Sequence, residues 1–273
     1  MHPFPSRWRT LSFVILASLL SARMIAADEP ALTKDQIKQF LKTAKVIHSA
    51  PAHKGTSNTL RLTLTDGTIT HDAHFQPIDE HALQQEMANG SKEFNFVDSY
   101  KYNVAAYELA AMLGLDDMVP VYVERSYDGK TGSFGWWLPV KMDESDRRKQ
   151  KIPVPDPESW NKQMHRVRVL DQLVYDTDAN LTNVLISQDW KVYRIDFSRA
   201  FRMYKELQTP KDLVQCDRQL FTKLKTLDGK ELAARTKGFL TKSEVQAVIA
   251  RRDKIVDHFQ KLIAEKGEDE ILY

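Results

Sequence analysis

The sequence predicts an α+β chain of two lobes, a sheet-rich first half followed by a mainly helical second half. Three observations carry that expectation. Apolar residues alternate with polar ones at Leu60, Leu62 and Leu64, and strand-like runs return over residues 69–75, 119–125 and 133–140. A single helix-patterned segment, residues 98–113, separates the two strand pairs. From residue 158 onward, apolar residues recur at the three-to-four spacing of helices. A chain of 273 residues that is 42% hydrophobic and 28% charged has the material for a core, which excludes wholesale disorder and coiled coil.

Residues 1–27 stand apart. Arg7 and Arg9 precede the apolar run from Leu11 to Leu20, and small residues close the segment at Ile25-Ala26-Ala27 before Asp28. This order is that of a secretory signal peptide, and the run is about half the roughly 20 residues a spanning helix needs. The sequence therefore predicts export to a periplasmic or extracellular space, with no stable membrane span after signal removal. One cysteine, Cys216, excludes an intramolecular disulfide and favours a bacterial source. A net charge of +2, with basic runs offset by nearby acids, gives no expectation of nucleic-acid binding.

Within residues 28–50, Thr33 is placed to cap a helix over residues 33–47, with Ile37, Phe40, Leu41 and Ala44 on one face. Residues 51–58 read as a loop, and Asp66-Gly67 as the turn of a hairpin between residues 60–66 and 69–75. The polar stretch 78–96 carries no readable period. From Asp98, Tyr102, Ala105, Ala106, Leu109 and Leu113 define a helix that Gly114 is placed to stop. Strands over residues 119–125 and 133–140 complete a small lobe spanning 51–141. Residues 142–157, charged and then proline-spaced, read as a connector to a large lobe over 158–273. That lobe opens with a helix over 158–175, continues with short strands at 184–187 and 192–197, and ends in a helix whose capping box is Thr241-Lys242-Ser243-Glu244.

The segment Tyr175-Asp176-Thr177-Asp178-Ala179-Asn180-Leu181-Thr182-Asn183 joins a helix to a strand through a cluster of carboxylates and amides. Phosphoryl transfer needs such a set: one aspartate orients the acceptor hydroxyl, while an asparagine and a second aspartate hold metal ions against the phosphates. Asp178 and Asn183 are five positions apart, and Asp196, in Ile195-Asp196-Phe197, lies thirteen further on, beyond a strand, a turn and a strand. The same carboxylates can also simply cap a turn. A calcium loop does not fit, because the later glycine and bidentate glutamate are missing.

These residues resemble the atypical kinases of the phosphatidylinositol-kinase-like superfamily, nearest to the secretory-pathway (Golgi casein-kinase-like) branch and its bacterial relatives. The similarity lies in Asn103-Val104-Ala105-Ala106-Tyr107-Glu108-Leu109 through Leu113-Gly114-Leu115 and Met118-Val119-Pro120, in the loop from Asp178 to Asn183, and in Ile195-Asp196-Phe197-Ser198-Arg199-Ala200-Phe201. The resemblance implies a kinase-like fold with Asp178 as catalytic aspartate and Asn183 and Asp196 as metal ligands. It also implies a hinge at Leu138 to Lys141 that pairs with adenine. The implied cofactors are ATP or another nucleoside triphosphate with Mg or Mn, and the acceptor hydroxyl belongs to a protein, sugar or lipid. Arg199 either follows the metal aspartate as in the family or pairs with the carboxylate cluster.

Two departures stand out. The family's strand lysine is replaced in Phe75-Gln76-Pro77, and its glutamate partner by Asn103, so Gln76 and Asn103 would meet the phosphates as a neutral hydrogen-bonded pair. Lys92 and Lys101 are the nearest substitutes for the lost charge. The same departures define the rival expectation, a pseudokinase that binds nucleotide or a protein partner without turnover. His71 and His74 sit on opposite strand faces and so predict no zinc site, Trp136, Trp137 and Trp190 predict packing, and Cys216 predicts a buried structural thiol on a helix.

Overall fold

A computed structural model describes residues 32–52, 59–87, 90 and 92–273. The signal peptide expected at residues 1–27 and the loop core at 53–58 lie outside the described residues. Thr33 to Tyr273 form one compact unit. Helix α1 (Lys34–Thr43) has the expected Thr33 cap, and the structure makes it a full capping box: Thr33 accepts from Gln36 N, and the Gln36 side chain accepts from Thr33 N. The helix stops at Thr43 rather than residue 47, because Lys45–Pro51 leave it to become strand β1. Val46 and Ile47 are β-branched and favour extended backbone, and β1 pairs antiparallel with β2 (Leu60–Thr65).

Five strands form one antiparallel sheet in the order β1-β2-β3-β7-β6, where β3 is Thr70–Gln76, β6 Tyr122–Tyr127 and β7 Lys130–Trp136. At the β2–β3 turn Asp66 accepts from the N–H groups of Thr68 and Ile69, and Gly67 supplies φ 93°. The pleat then sorts the side chains. Leu62, Leu64, Ala73, Phe75 and Phe134 are buried on one face, and Trp136 of that face meets Phe40 of α1 edge-on at 5.8 Å. Gln76 and Ser133, neighbours in the register, point the other way, towards helix α2 (Lys101–Leu113). His71 stacks on Trp136 at 3.5 Å, which separates it from His74 as the strand period requires.

Gly132 of β7 allows two strands to close up, since a Cβ there would stand 2.5 Å from the backbone oxygen of Gln76 and 2.7 Å from the Phe75 ring. Backbone cannot yield as a flexible side chain can. Gly132→Ala is expected to lower unfolding free energy by about 1–3 kcal/mol, read as a lower urea midpoint with an unchanged slope.

The stretch without a readable period forms a second hairpin, β4 (Asp79–Glu86) with β5 (Lys92–Ser99). It buries little of its own, with Leu83 86% exposed, and is held from outside. Ser99 N donates to Ser198 O at 2.8 Å, Lys101 pairs with Asp79 at 2.8 Å, and Glu93 pairs with both Arg199 and Arg202. Helix α2 runs through the middle of the molecule, buried over most of its length, and ends at Gly114 with φ 70°.

The charged segment expected as a connector carries strand β8 (Val140–Asp143) and a short helix α3 (Glu144–Lys149). Glu144 explains the helix: fully buried, it takes ion pairs from Arg147 at 2.6 Å and Arg148 at 2.7 Å. Strand β8 pairs with β9 (Val184–Ser187), and β9 with β10 (Val192–Arg194). Helix α4 (Pro157–Val174), capped by Asp156, buries Trp160, Met164, Val167 and Leu170. The long helix α5 (Lys242–Lys266) has the predicted Thr241/Glu244 box. Cys216 is buried as expected but lies just before a helix, its N–H on Ile271 O at 2.9 Å, and burial pushes its thiol pKa up. Among the described residues no helix is long and apolar enough to cross a membrane.

Candidate active site

Helix α4 ends at Tyr175 in the left-handed region, φ 51°, and the chain turns into the polar loop. Asp176 is buried and uses one carboxylate oxygen to accept Asp178 N at 2.8 Å, which fixes the loop from inside. Its other oxygen is paired with Arg194, whose Nε also donates to Asp171 at 2.9 Å. Arg194 is fully buried and donates in addition to the carbonyl of Ile195. One guanidinium therefore ties the end of α4, the polar loop and the segment of Asp196 together. Burial works against the Arg194 charge, but Asp171 and Asp176 outweigh it and hold the group protonated. Burial also pushes Asp176 up to about 6, against the pull of Arg194.

Asn180 caps the short 3-10 turn Leu181–Asn183 by accepting Thr182 N at 2.9 Å, and its amide nitrogen lies 3.3 Å from an Asp178 carboxylate oxygen. Asp178 itself is exposed. Asn183 donates its Nδ2 to Asp178 O at 3.2 Å, which directs its own Oδ1 to the opposite side of the amide group. Ile195 N donates to Asn183 O at 3.0 Å, so the start of β9 and the residue before Asp196 are in register. Asp196 leaves β10 with φ 56°, a conformation that aspartate tolerates better than bulkier residues. The part of the expected strand beyond Arg194 is thus a turn that re-aims Asp196.

The small sheet reaches this turn through a chain of neutral hydrogen bonds. Asn103 of α2 accepts Phe197 N at 2.7 Å and donates to Gln76 Oε1 at 2.6 Å and to Ser133 Oγ at 3.2 Å. Gln76 Nε2 then lies 3.4 Å from Asp196 Oδ1. Gln76 and Asn103 are 2% and 0% exposed, so the pair is buried and carries no charge into the site. Burial pushes the Tyr122 phenol up as well, and it stays neutral beside Asp196.

The structure thus gathers Gln76, Asn103, Asp178, Asn183 and Asp196 about one end of the β9–β10 hairpin. Leu138 sits half-buried in the link from β7 to β8, and the Lys141 ammonium lies 4.9 Å over the Trp190 ring, at the opposite end of that hairpin. Arg199 does not pair with the Asp176–Asp178 cluster; its partner is Glu93, and its guanidinium lies over Phe96 at 5.3 Å. Lys101 is held by Asp79, and Lys92 lies exposed on β5. Among the described residues no three His, Cys, Asp or Glu side chains form a ready cation cage. A cavity of about 490 Å³, lined by Val154, Trp160, Gln163, Asp189, Trp190 and Lys191, lies away from this group and includes none of it. Arg194 is the residue that sequence reasoning missed. Its signal was an arginine sharing a strand face with fully buried Val192, a position that demands buried acids.

No protein-family model and no curated protein matches the chain. Solved structures do. The structure of hydra Fam20 with sugar superimposes with a TM-score of 0.62 at 14% identity, covering 88% of this chain and 91% of that one. A crystal structure of the Golgi casein kinase gives 0.61 at 15% identity over 88% and 78%. The Helicobacter pylori proinflammatory kinase CtkA gives 0.52 at 10% identity over 83% and 98%. At these identities the likeness is one of fold: the chain has the α+β, kinase-like architecture that Fam20 and the Golgi casein kinase share.

Proposed function

We propose that the chain transfers a phosphoryl group from a nucleoside triphosphate, ATP in the first instance, to a hydroxyl of a protein, sugar or lipid outside the cytoplasm of a bacterium. The observation that carries this reading is the convergence of Asp178, Asn183 and Asp196 at one end of a hairpin, braced from beneath by Arg194. We assign the nucleotide-covering role to residues 51–141, the link to 142–157 and the catalytic role to 158–273. The export signal at residues 1–27 is part of the same proposal.

In this reading Asp178 accepts a hydrogen bond from the acceptor hydroxyl and takes its proton as the oxygen bonds to the γ-phosphorus, and the nucleoside diphosphate leaves. Asn183 Oδ1 and the Asp196 carboxylate would hold Mg or Mn, which when bound neutralises phosphate charge. Two protein ligands are enough where substrate phosphates and water complete the shell. The Golgi casein kinase with Mn/ADP bound is among the structures of like fold, which supports the choice of ligands. Leu138 and the strand end to Lys141 would border the base, and Gln76 with Asn103 would donate to phosphate as neutral groups.

A second reading, nucleotide or partner binding without turnover, rests on that same pair. It is favoured by the complete burial of the hydrogen bond between Asn103 and Gln76, which leaves no positive charge from either residue. Calorimetric titration of the purified chain with ATP and Mn decides whether the site is where it is placed. Saturable binding that needs the metal and is weakened more than about tenfold in Asp196→Ala is the expected result. Equal binding by the variant would sink the assignment, and binding without phosphate transfer to any hydroxyl acceptor would select the second reading.

A further inference from the structure

Glu93 of β5 stands between the two segments that carry Asp178 and Asp196. One of its carboxylate oxygens pairs with Arg199, three residues beyond Asp196, and the other with Arg202. The oxygen on Arg202 also lies 3.5 Å from Thr177 Oγ1, one residue before Asp178. Thr177 is pinched at this point. Its N–H donates to Arg199 O at 3.2 Å, its Oγ1 lies 3.2 Å from the same carbonyl, and Arg202 Nη2 donates to Oγ1 at 3.4 Å. Asp176 holds the loop from inside through Asp178 N, and Glu93 holds it from outside through Thr177.

Two guanidiniums share this one acid. Arg199 and Arg202 lie over the Phe96 ring at 5.3 and 6.0 Å, both mostly buried, and among the described residues Glu93 is the only acid paired with either. Each also keeps a buried Nε with no hydrogen-bond partner among the described residues. Without the Glu93 carboxylate two like charges would stand side by side in a largely dry site, and they would separate. Asp196 has holds of its own: Phe197 N on Asn103, Ile195 N on Asn183 O, and the buried Arg194. Thr177, by contrast, is bonded to the carbonyl of Arg199 itself and moves with it. Loss of Glu93 therefore reaches Asp178 before it reaches Asp196.

We infer that Glu93 is a positioning residue which, acting through Thr177, sets the Asp178 carboxylate against the acceptor hydroxyl; this rests on the phosphotransfer reading and deepens it. Asp178 is exposed on a short loop, and a displacement of about 1 Å at such a group can cost on the order of a hundredfold in rate. The β4–β5 hairpin buries little of its own, and this role gives it a place in the chemistry that its packing does not explain.

The test is phosphate release from ATP with Mn²⁺ by the full chain, water standing in for the acceptor hydroxyl. The water oxygen bonds to the γ-phosphorus, its proton goes to Asp178, and the nucleoside diphosphate leaves. Glu93→Gln, which keeps the size and removes the charge, is expected to lower kcat at least about tenfold while KM for ATP changes less than about twofold. Thr177→Val removes the hydroxyl and keeps both ion pairs, so it stands even if Glu93→Gln fails to fold, and the same split is expected of it. The double variant is expected to fall no further than the slower single one, because both act on one contact. Asp79→Asn cuts the hairpin's tie to Lys101 without touching Thr177, and is expected to keep kcat within about twofold of wild type. Wild-type kcat in Thr177→Val, a change in KM alone, or an equal loss in Asp79→Asn overturns this inference and leaves the phosphotransfer reading intact. Absence of phosphate release by the wild type overturns both.

Discussion

Arg194→Met is expected to unfold the chain at markedly lower urea, with about 3–5 kcal/mol lost, because it leaves buried Asp176 and partly buried Asp171 without their counter-charge. In the wild type the guanidinium sits between Asp171 and Asp176, itself 0% exposed. Methionine fills most of the volume and answers neither acid. The loss is expected to depend on pH, and the sign follows from burial. Asp171 and Asp176 already lie above the usual carboxylate range, with burial the larger cause for each and Arg194 opposing it. Removing Arg194 raises both further. A carboxylate whose folded pKa exceeds its unfolded one contributes stability that is present at low pH and lost as pH rises through the folded value. The gap between variant and wild type should therefore be widest above about pH 6 and narrow towards pH 5. A pH-independent gap, or none, would show that Arg194 does not hold the loop by charge. Nucleotide binding should fail alongside stability, since the same guanidinium reaches the backbone before Asp196.

What the sequence makes legible here is what is local. The cap at Thr33, the capping box at Thr241, the Asp66-Gly67 turn and the Gly114 stop are decided within a few residues, and each appears in the structure. The spacing of Asp178, Asn183 and Asp196 is visible for the same reason, because one hairpin carries all three. The helix end at Thr43 was not legible: Ile37, Phe40, Leu41, Ala44 and Ile47 keep helical spacing, and only pairing with β2 turns residues 45–51 into a strand. The β4–β5 hairpin was hidden because it lacks an apolar face. It is tied to the rest of the molecule by Glu93, more than a hundred residues from its partners Arg199 and Arg202. Arg194 was hidden likewise, its acids lying 23 and 18 residues back on another element.

Asn103→Glu alone is expected to cost about 3–5 kcal/mol, and Gln76→Lys made with it to restore at least about 1 kcal/mol of that loss. The single change places a carboxylate at a 0% exposed position. It also removes the amide N–H groups that Gln76 Oε1 and Ser133 Oγ accept, leaving the new charge facing two acceptors. Gln76→Lys alone should be milder, since its ammonium would stand where Gln76 Nε2 now faces Asp196. Together the two charges neutralise each other in a setting of low dielectric, and their coupling in a urea double-mutant cycle measures how well the neutral pair's site accepts an ionic one. Nucleotide affinity is the second readout. If the missing positive charge limits phosphate binding, the double variant should bind ATP about tenfold more tightly than wild type, which is about 1.4 kcal/mol. Coupling near zero would mean that the strand and helix do not bring positions 76 and 103 into contact. Strong coupling with unchanged ATP affinity would mean that the cleft already compensates phosphate by other means, and that the neutral pair serves to hold Phe197 N and so to fix the turn that presents Asp196.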